Sequence, residues 1–150
     1  MIETVGVVGL GLIGGSMAKA IHQYTDCTLL GYDADGAVLS RALDEGVLTA
    51  ALTADRLAEC DLVIVALYPK GIVCQPLEAV ARETGFTFVG AHPMAGIERS
   101  GYTNAFPELF QGASLILTPY QGTEEKCLED IWQLAQRLGF ARLTRSTPAQ

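Results

Sequence analysis

Apolar residues fall in short blocks along this chain, and their spacing switches repeatedly between the strand period and the helix period. Residues 5–8, in "TVGVV", form a β-type run. Over 12–24 the pattern turns helical, with Ile13, Met17, Ile21 and Tyr24 on one face. A second strand is predicted over 27–32, ending at Asp33. Asp35 is placed to cap a helix over 36–45, with Val38, Leu39, Ala42 and Leu43 inward and Gly46 as its stop. The stretch 47–60 is mixed, with a short strand near 49–52 and a helical turn near 54–59. "DLVIVALYP" is apolar on both faces, as a central parallel strand would be.

Further along, 71–84 has helical spacing, but Pro76 suits a helix start better than an interior, so the helix is placed over 76–83. "FTFVGAHP" reads as a strand, 96–112 as a loop with one helical turn near 103–110, and "SLILTP" as a strand. Thr123 is the expected cap of a helix over 124–138, closed by Gly139, and "FARLTR" is the last strand. Strands alternating with helices predict an α/β fold, a doubly wound and mostly parallel sheet of the Rossmann dinucleotide-binding type. With 150 residues and no linker or repeat, a single domain over 1–150 is expected.

The glycines of "GVVGLGLIGGS" sit where strand meets helix. Gly9, Gly11 and Gly14 fit G-x-G-x-x-G, and Asp33 lies 19 positions beyond Gly14 at the end of the second strand. These are the contexts the dinucleotide fingerprint requires. Gly9 allows the tight turn, Gly11 lets the pyrophosphate approach the backbone, and Gly14 lets the helix pack on the strand. The helix start, Leu12 and Ile13 included, offers free N–H groups to phosphate. Asp33 would accept hydrogen bonds from the adenosine ribose, and with Asp35 it would repel a 2′-phosphate. NAD is therefore expected over NADP. The bland alternative is a tight turn in an α/β protein that binds no nucleotide.

Composition narrows the classes. Hydrophobic residues make up 49% and charged ones 18%, which is globular, and a net charge of −7 with no basic cluster argues against nucleic acid or an anionic membrane as partner. No apolar run nears the ~18 residues a membrane span needs, and the start carries no basic signal-peptide region. Cys27, Cys60, Cys74 and Cys127 lack metal-ligand spacing and read as reduced thiols of a cytoplasmic protein, with no metal site.

A second constellation is "GAHPMAGIERSG", at the end of a strand, where ligands bind in such sheets. Pro93 restricts His92 to an extended conformation, and imidazole can take a proton near neutral pH. His92 reads equally as a proton acceptor in catalysis or as a strand-end histidine bonded to its neighbours. His22 and Arg99 read as solvated.

Together, "GLGLIGGS", "HPMAG", the following "SG", "ELFQGASLILTP" and the capped helix resemble, in order and over nearly the whole chain, the NAD-binding domain of the prephenate dehydrogenase (TyrA) family of tyrosine biosynthesis. The resemblance implies NAD-dependent oxidation and decarboxylation of prephenate to 4-hydroxyphenylpyruvate, with His92 hydrogen-bonding the ring 4-hydroxyl. It implies cofactor contacts at Gly9, Gly11, Leu12, Ile13, Gly14 and Asp33 and at the strand end Leu67, Tyr68 and Pro69, with Gly96 in the substrate loop.

The chain departs from the family pattern in two places. Tyr68 and Phe86 are 18 positions apart, room for one helix, where the family has helix, strand and second helix and a Ser that orients the histidine. An internal deletion near 70–75 is the reading, and it would bring "FTFVGA" beside "DLVIVAL". The family's C-terminal helical domain, which makes the dimer and supplies an arginine for the substrate carboxylates, is also expected to be absent, leaving apolar surface and a tendency to self-associate. The expectation is a shortened form that binds NAD. The alternatives are an enzyme acting on arogenate or another small acid or imine, and a non-catalytic NAD-binding module.

Overall fold

The computed structural model describes residues 2–66, 89–95, 99–119 and 123–145. The chain divides into two compact units, one made of Met1–Leu67 with Gly96–Leu109, the other of Tyr68–Ala95 with Phe110–Gln150.

The first unit is built on β1 (Thr4–Val8), whose Val5 and Val7 are completely buried. It pairs in parallel with β2 (Thr28–Tyr32) on one side and β4 (Leu62–Val65) on the other, and β3 (Ala50–Ala51) adds outside β2. The register sets Val5 opposite Leu29 and Leu62, and Val7 opposite Gly31 and Ile64. Asp61 pins two strand starts together: its carboxylate accepts the N–H groups of Glu3 and Thr4, both at 2.9 Å, and these bonds hold its carboxyl below the usual carboxylate range. The strand within "DLVIVALYP", Leu62–Val65, is half-buried and, among the described pairings, joins β1 alone, so the central position expected of it is not seen there.

Parallel strands need crossovers. The first is α1 (Leu12–Tyr24), with Met17 and Ile21 buried as the spacing predicts and Ile13 and Tyr24 half-buried. Gly14, Gly15 and Ser16 are buried too, so a second face of α1 is covered. Residues 99–109 cover it. A Cβ on Gly15 would come within 3.0 Å of both Tyr102 and Ala105. The Ser16 hydroxyl accepts the Phe106 N–H at 3.1 Å, and Lys19 Nζ donates to the Ala105 carbonyl at 2.9 Å. The second crossover is α2 (Gly36–Asp44). Asp35 caps it by accepting the Ala37 N–H at 3.0 Å, and Gly46 follows at φ +77°, both as expected. The mixed region resolves into β3 and a 3-10 turn over Ala54–Glu59.

The second unit holds β5 (Val89–Met94), β6 (Ser114–Pro119) and β7 (Arg142–Arg145), in that order. β6 and β7 are parallel across α3 (Glu125–Arg137), whereas β5 runs antiparallel to β6. Beneath them Phe110 stacks on Phe140 with centroids 5.0 Å apart, among buried Leu117, Leu128 and Leu138. The described residues of β5 pair with β6, and the expected pairing of "FTFVGA" with "DLVIVAL" is not among the described pairings. Two expectations are corrected. The helical turn near 103–110 is a three-residue 3-10 turn, Tyr102–Asn104. α3 starts at Glu125 behind Glu124 and no side chain caps it, so Thr123 is not the cap. Glu125 instead places charge on the helix's positive end, held bidentate by Arg145 at 2.8 Å. The helix predicted over 76–83 and the proposed deletion near 70–75 lie outside the described residues.

Candidate dinucleotide site

The site grows from the C-terminal ends of β1 and β2. After Val8 the chain turns at Gly9, whose φ of +93° is open to glycine and strained for other residues. Leu10 then buries its side chain, only 1% exposed, and Gly11 stands at the N-cap of α1 in extended geometry. Gly14, one turn in, lies against the loop: a Cβ there would stand 1.7 Å from the Gly9 carbonyl oxygen. The third glycine of the motif therefore packs the helix start on the Gly9 turn that leaves β1, where packing on the strand itself was expected.

The start of α1 carries no side-chain cap and no acidic residue in its first turn. Its leading N–H groups, those of Leu12 and Ile13 among them, have no partner within the helix by geometry, and the helix dipole adds a partial positive charge there. Among the described residues, a Cβ built on Gly11 meets nothing within 4 Å. Open space beside an uncapped helix start is the cradle a phosphate group needs.

Asp33 ends β2 beside this loop. The Leu10 N–H donates to Asp33 Oδ2 at 2.7 Å, the Asp35 N–H donates to Asp33 Oδ1 at 2.9 Å, and the Gly9 N–H donates to the Tyr32 carbonyl at 2.9 Å. The neighbouring crevice is a pocket of about 420 Å³ lined by Val8, Tyr32, Leu39, Ala51, Leu52, Thr53, Ala54 and Leu57. Tyr32 and Leu57, at 46% and 38% exposure, give it an open apolar mouth. The glycine loop, the helix start, Asp33 and this pocket all belong to the first unit. The residues fit a dinucleotide: donors for its pyrophosphate, a carboxylate for its ribose, and an apolar slot for a flat base.

The pocket lining and the Ser16 and Lys19 tethers escape sequence reading, because each is a contact across distant parts of the chain. The tethered segment carries one further polar cluster. The Tyr102 hydroxyl donates to Glu45 Oε1 at 2.6 Å, while Lys19 and Arg41 stand 4.3 and 5.5 Å from its ring centroid. Burial, then the bond to Glu45, pushes the Tyr102 phenol well above its usual range; the bonds from Tyr102 and Arg41 pull Glu45 down, and burial lowers Lys19. Tyr102 stays protonated and the cluster reads as a clasp for residues 99–109.

In the second unit His92 lies on β5 opposite Ile116, exposed and followed by buried Pro93 and by Met94 at 56% exposure. The extended conformation is the one Pro93 predicts. His22 and Arg99 are exposed. Leu67, Tyr68, Pro69 and Gly96 lie outside the described residues. Among the described residues, no cluster of His, Cys, Asp and Glu is placed to hold a metal, and no helix is long and apolar enough to cross a membrane.

Comparison with known proteins bears on both units. The family profile described as "Prephenate dehydrogenase, nucleotide-binding domain" matches residues 69–143, and that described as "NAD binding domain of 6-phosphogluconate dehydrogenase" matches 4–85. A cyclohexadienyl dehydrogenase from Zymomonas mobilis is 31% identical over 163 positions, covering 89% of this chain and 56% of that protein. A prephenate dehydrogenase from Bacillus subtilis is 30% identical over 164 positions, covering 89% of this chain and 44% of that one. The chain thus spans about half the length of the curated relatives it matches. Both alignments are longer than the 150-residue chain, so each relative carries residues with no counterpart here. Among solved structures, an A. aeolicus prephenate dehydrogenase in complex with hydroxyphenyl propionate and NAD+ superposes with a TM-score of 0.82 at 24% identity, over 99% of this chain and 61% of that one. That likeness establishes the fold.

Proposed function

This chain belongs to the prephenate dehydrogenase family, through its nucleotide-binding domain, and from that premise we propose that its first unit holds NAD and that His92 serves the oxidative decarboxylation of prephenate. The observation that carries the cofactor part is the open space at Gly11 beside the uncapped start of α1, with the Asp33 carboxylate next to it. Gly9, Gly11, Leu12, Ile13 and Gly14 form the pyrophosphate cradle, Asp33 accepts the ribose hydroxyls, and the pocket beside Tyr32 takes the adenine. Leu67, Tyr68 and Pro69, which follow β4 in the sequence, are assigned by the same reading to the nicotinamide end of the cofactor, and Gly96 to the substrate loop.

NAD, when bound, supplies a hydride acceptor. The protein's share is to orient the ring and take a proton. His92 hydrogen-bonds the ring 4-hydroxyl through a ring nitrogen and accepts its proton as hydride leaves the same carbon, after which CO2 is lost and the ring becomes aromatic. Arogenate, with an amino group in place of the side-chain keto group, presents the same ring hydroxyl and is the competing substrate. A site of this kind in a protein with no membrane-spanning helix among its described residues suits a cytoplasmic biosynthetic enzyme.

A second reading, NAD binding without useful turnover, draws support from the alignments that outrun this chain. A general base contributes about 10²–10⁴-fold only when it is well placed, and the family's histidine-orienting Ser has no counterpart between Tyr68 and Phe86. On this second reading the expected result is NAD binding with NADH formation near background from prephenate or arogenate, whereas the catalytic reading expects turnover that depends on His92. The assay follows NADH absorbance with each compound at saturation, in this chain and in His92→Asn. Robust turnover that disappears in the variant would sink the second reading and leave the full catalytic one standing.

A further inference from the structure

We propose that Asp33 is a positioning residue for the pyrophosphate loop as well as a ribose acceptor, so that its contribution to NAD binding is divided between two parts of the cofactor. The inference rests on the cofactor reading above. Both carboxylate oxygens already accept backbone N–H groups: Oδ2 from Leu10 at 2.7 Å and Oδ1 from Asp35 at 2.9 Å. Leu10 lies between the first two glycines of the motif. Its side chain is buried in the core and its N–H is held by Asp33, while the preceding Gly9 N–H is held by the Tyr32 carbonyl at 2.9 Å. Two consecutive amides of the loop are thus fastened to the end of β2, and the next amides in the chain, those of Gly11 and the start of α1, are the ones that face an anion.

Glycine at positions 9 and 11 leaves the loop with many alternative conformations, and each would turn those amides elsewhere. A carboxylate is suited to suppress them, because each oxygen keeps a second lone pair. Asp33 can hold Leu10 and Asp35 and still accept both ribose hydroxyls. Its removal should therefore weaken binding of a cofactor that has no ribose hydroxyls to offer.

The test is a calorimetric cycle. NAD and its analogue lacking the 2′- and 3′-hydroxyls on the adenosine ribose are titrated into the unaltered chain, Asp33→Ala and Asp33→Asn. If Asp33 acts on the ribose alone, the analogue binds the unaltered chain and Asp33→Ala equally. The latch predicts that Asp33→Ala binds the analogue a further fivefold to tenfold more weakly, about the worth of one hydrogen bond. Asp33→Asn, which keeps one carbonyl oxygen for Leu10, should recover most of that loss for the analogue. Equal analogue affinities across the three proteins would overturn the proposal. Hydrogen exchange in the free protein tests the latch apart from the cofactor: exchange at the Leu10 amide should accelerate in Asp33→Ala. An unchanged rate there would overturn the latch even if NAD binds, and loss of NAD binding by the unaltered chain would overturn the cofactor reading instead.

Discussion

Gly11→Val should abolish NAD binding while the protein melts within a few degrees of the unaltered chain. The two halves of that expectation come from separate observations. Gly11 has negative φ and extended backbone, which valine adopts freely, and a Cβ there touches none of the described residues within 4 Å. The folded state therefore loses only the modest preference of an N-cap for glycine over valine, about 1 kcal/mol. On the proposed cofactor placement, the space the side chain fills is the space the pyrophosphate needs. Displacing the phosphates from two backbone donors forfeits about 1.5–3 kcal/mol for each bond to a charged group, or about 10²–10⁴-fold in affinity. Titration by calorimetry and thermal melting by circular dichroism read both halves. Normal NAD affinity in Gly11→Val would mean that the cofactor does not sit on this loop.

Gly14→Ala should behave differently, losing both binding and stability. Replacing glycine by alanine inside a helix ordinarily stabilises it by roughly 0.5–1 kcal/mol. At Gly14 the added methyl would lie 1.7 Å from the Gly9 carbonyl oxygen and 3.0 Å from the Ala66 side chain. A carbonyl fixed in a turn cannot swing aside as a side chain does, so α1 must lift off the loop. Overpacking of this kind costs roughly 1–3 kcal/mol or more, and about 3 kcal/mol corresponds to a melting shift of roughly 6–12 °C for a chain of this size. A melting temperature at or above that of the unaltered chain would show that Gly14 does not hold helix and loop in contact.

Local pattern made the first unit readable. The valines of β1, the helical face at Met17 and Ile21, the Asp35 cap and the glycine at position 46 are each decided within a few residues of chain, and each is found. What the pattern could not reach is non-local. The burial of Gly15 and Ser16 depends on residues about 90 positions away. The apolar run of β4 fits a central strand or a half-covered one equally, since period cannot name the partner. Likewise "FTFVGAHP" carries no mark of direction, and its described part lies antiparallel to β6. Thr123 is a good cap by type, but the chain enters α3 one residue later, where Glu125 meets both the helix dipole and Arg145. At the candidate site, Asp33 was visible through its spacing from Gly14, while its bonds to Leu10 and Asp35 needed the folded loop.

The most direct test of the cofactor assignment is parallel titration of the unaltered chain with NAD and with NADP. In the proposed site the Asp33 carboxylate faces the ribose, with Asp35 two residues on. NAD should bind at least about tenfold more tightly, since NADP exchanges a charge-assisted hydrogen bond worth about 1.5–3 kcal/mol for repulsion between anions. Equal or tighter binding of NADP, or no binding of NAD at concentrations that saturate other dinucleotide domains, would contradict the assignment.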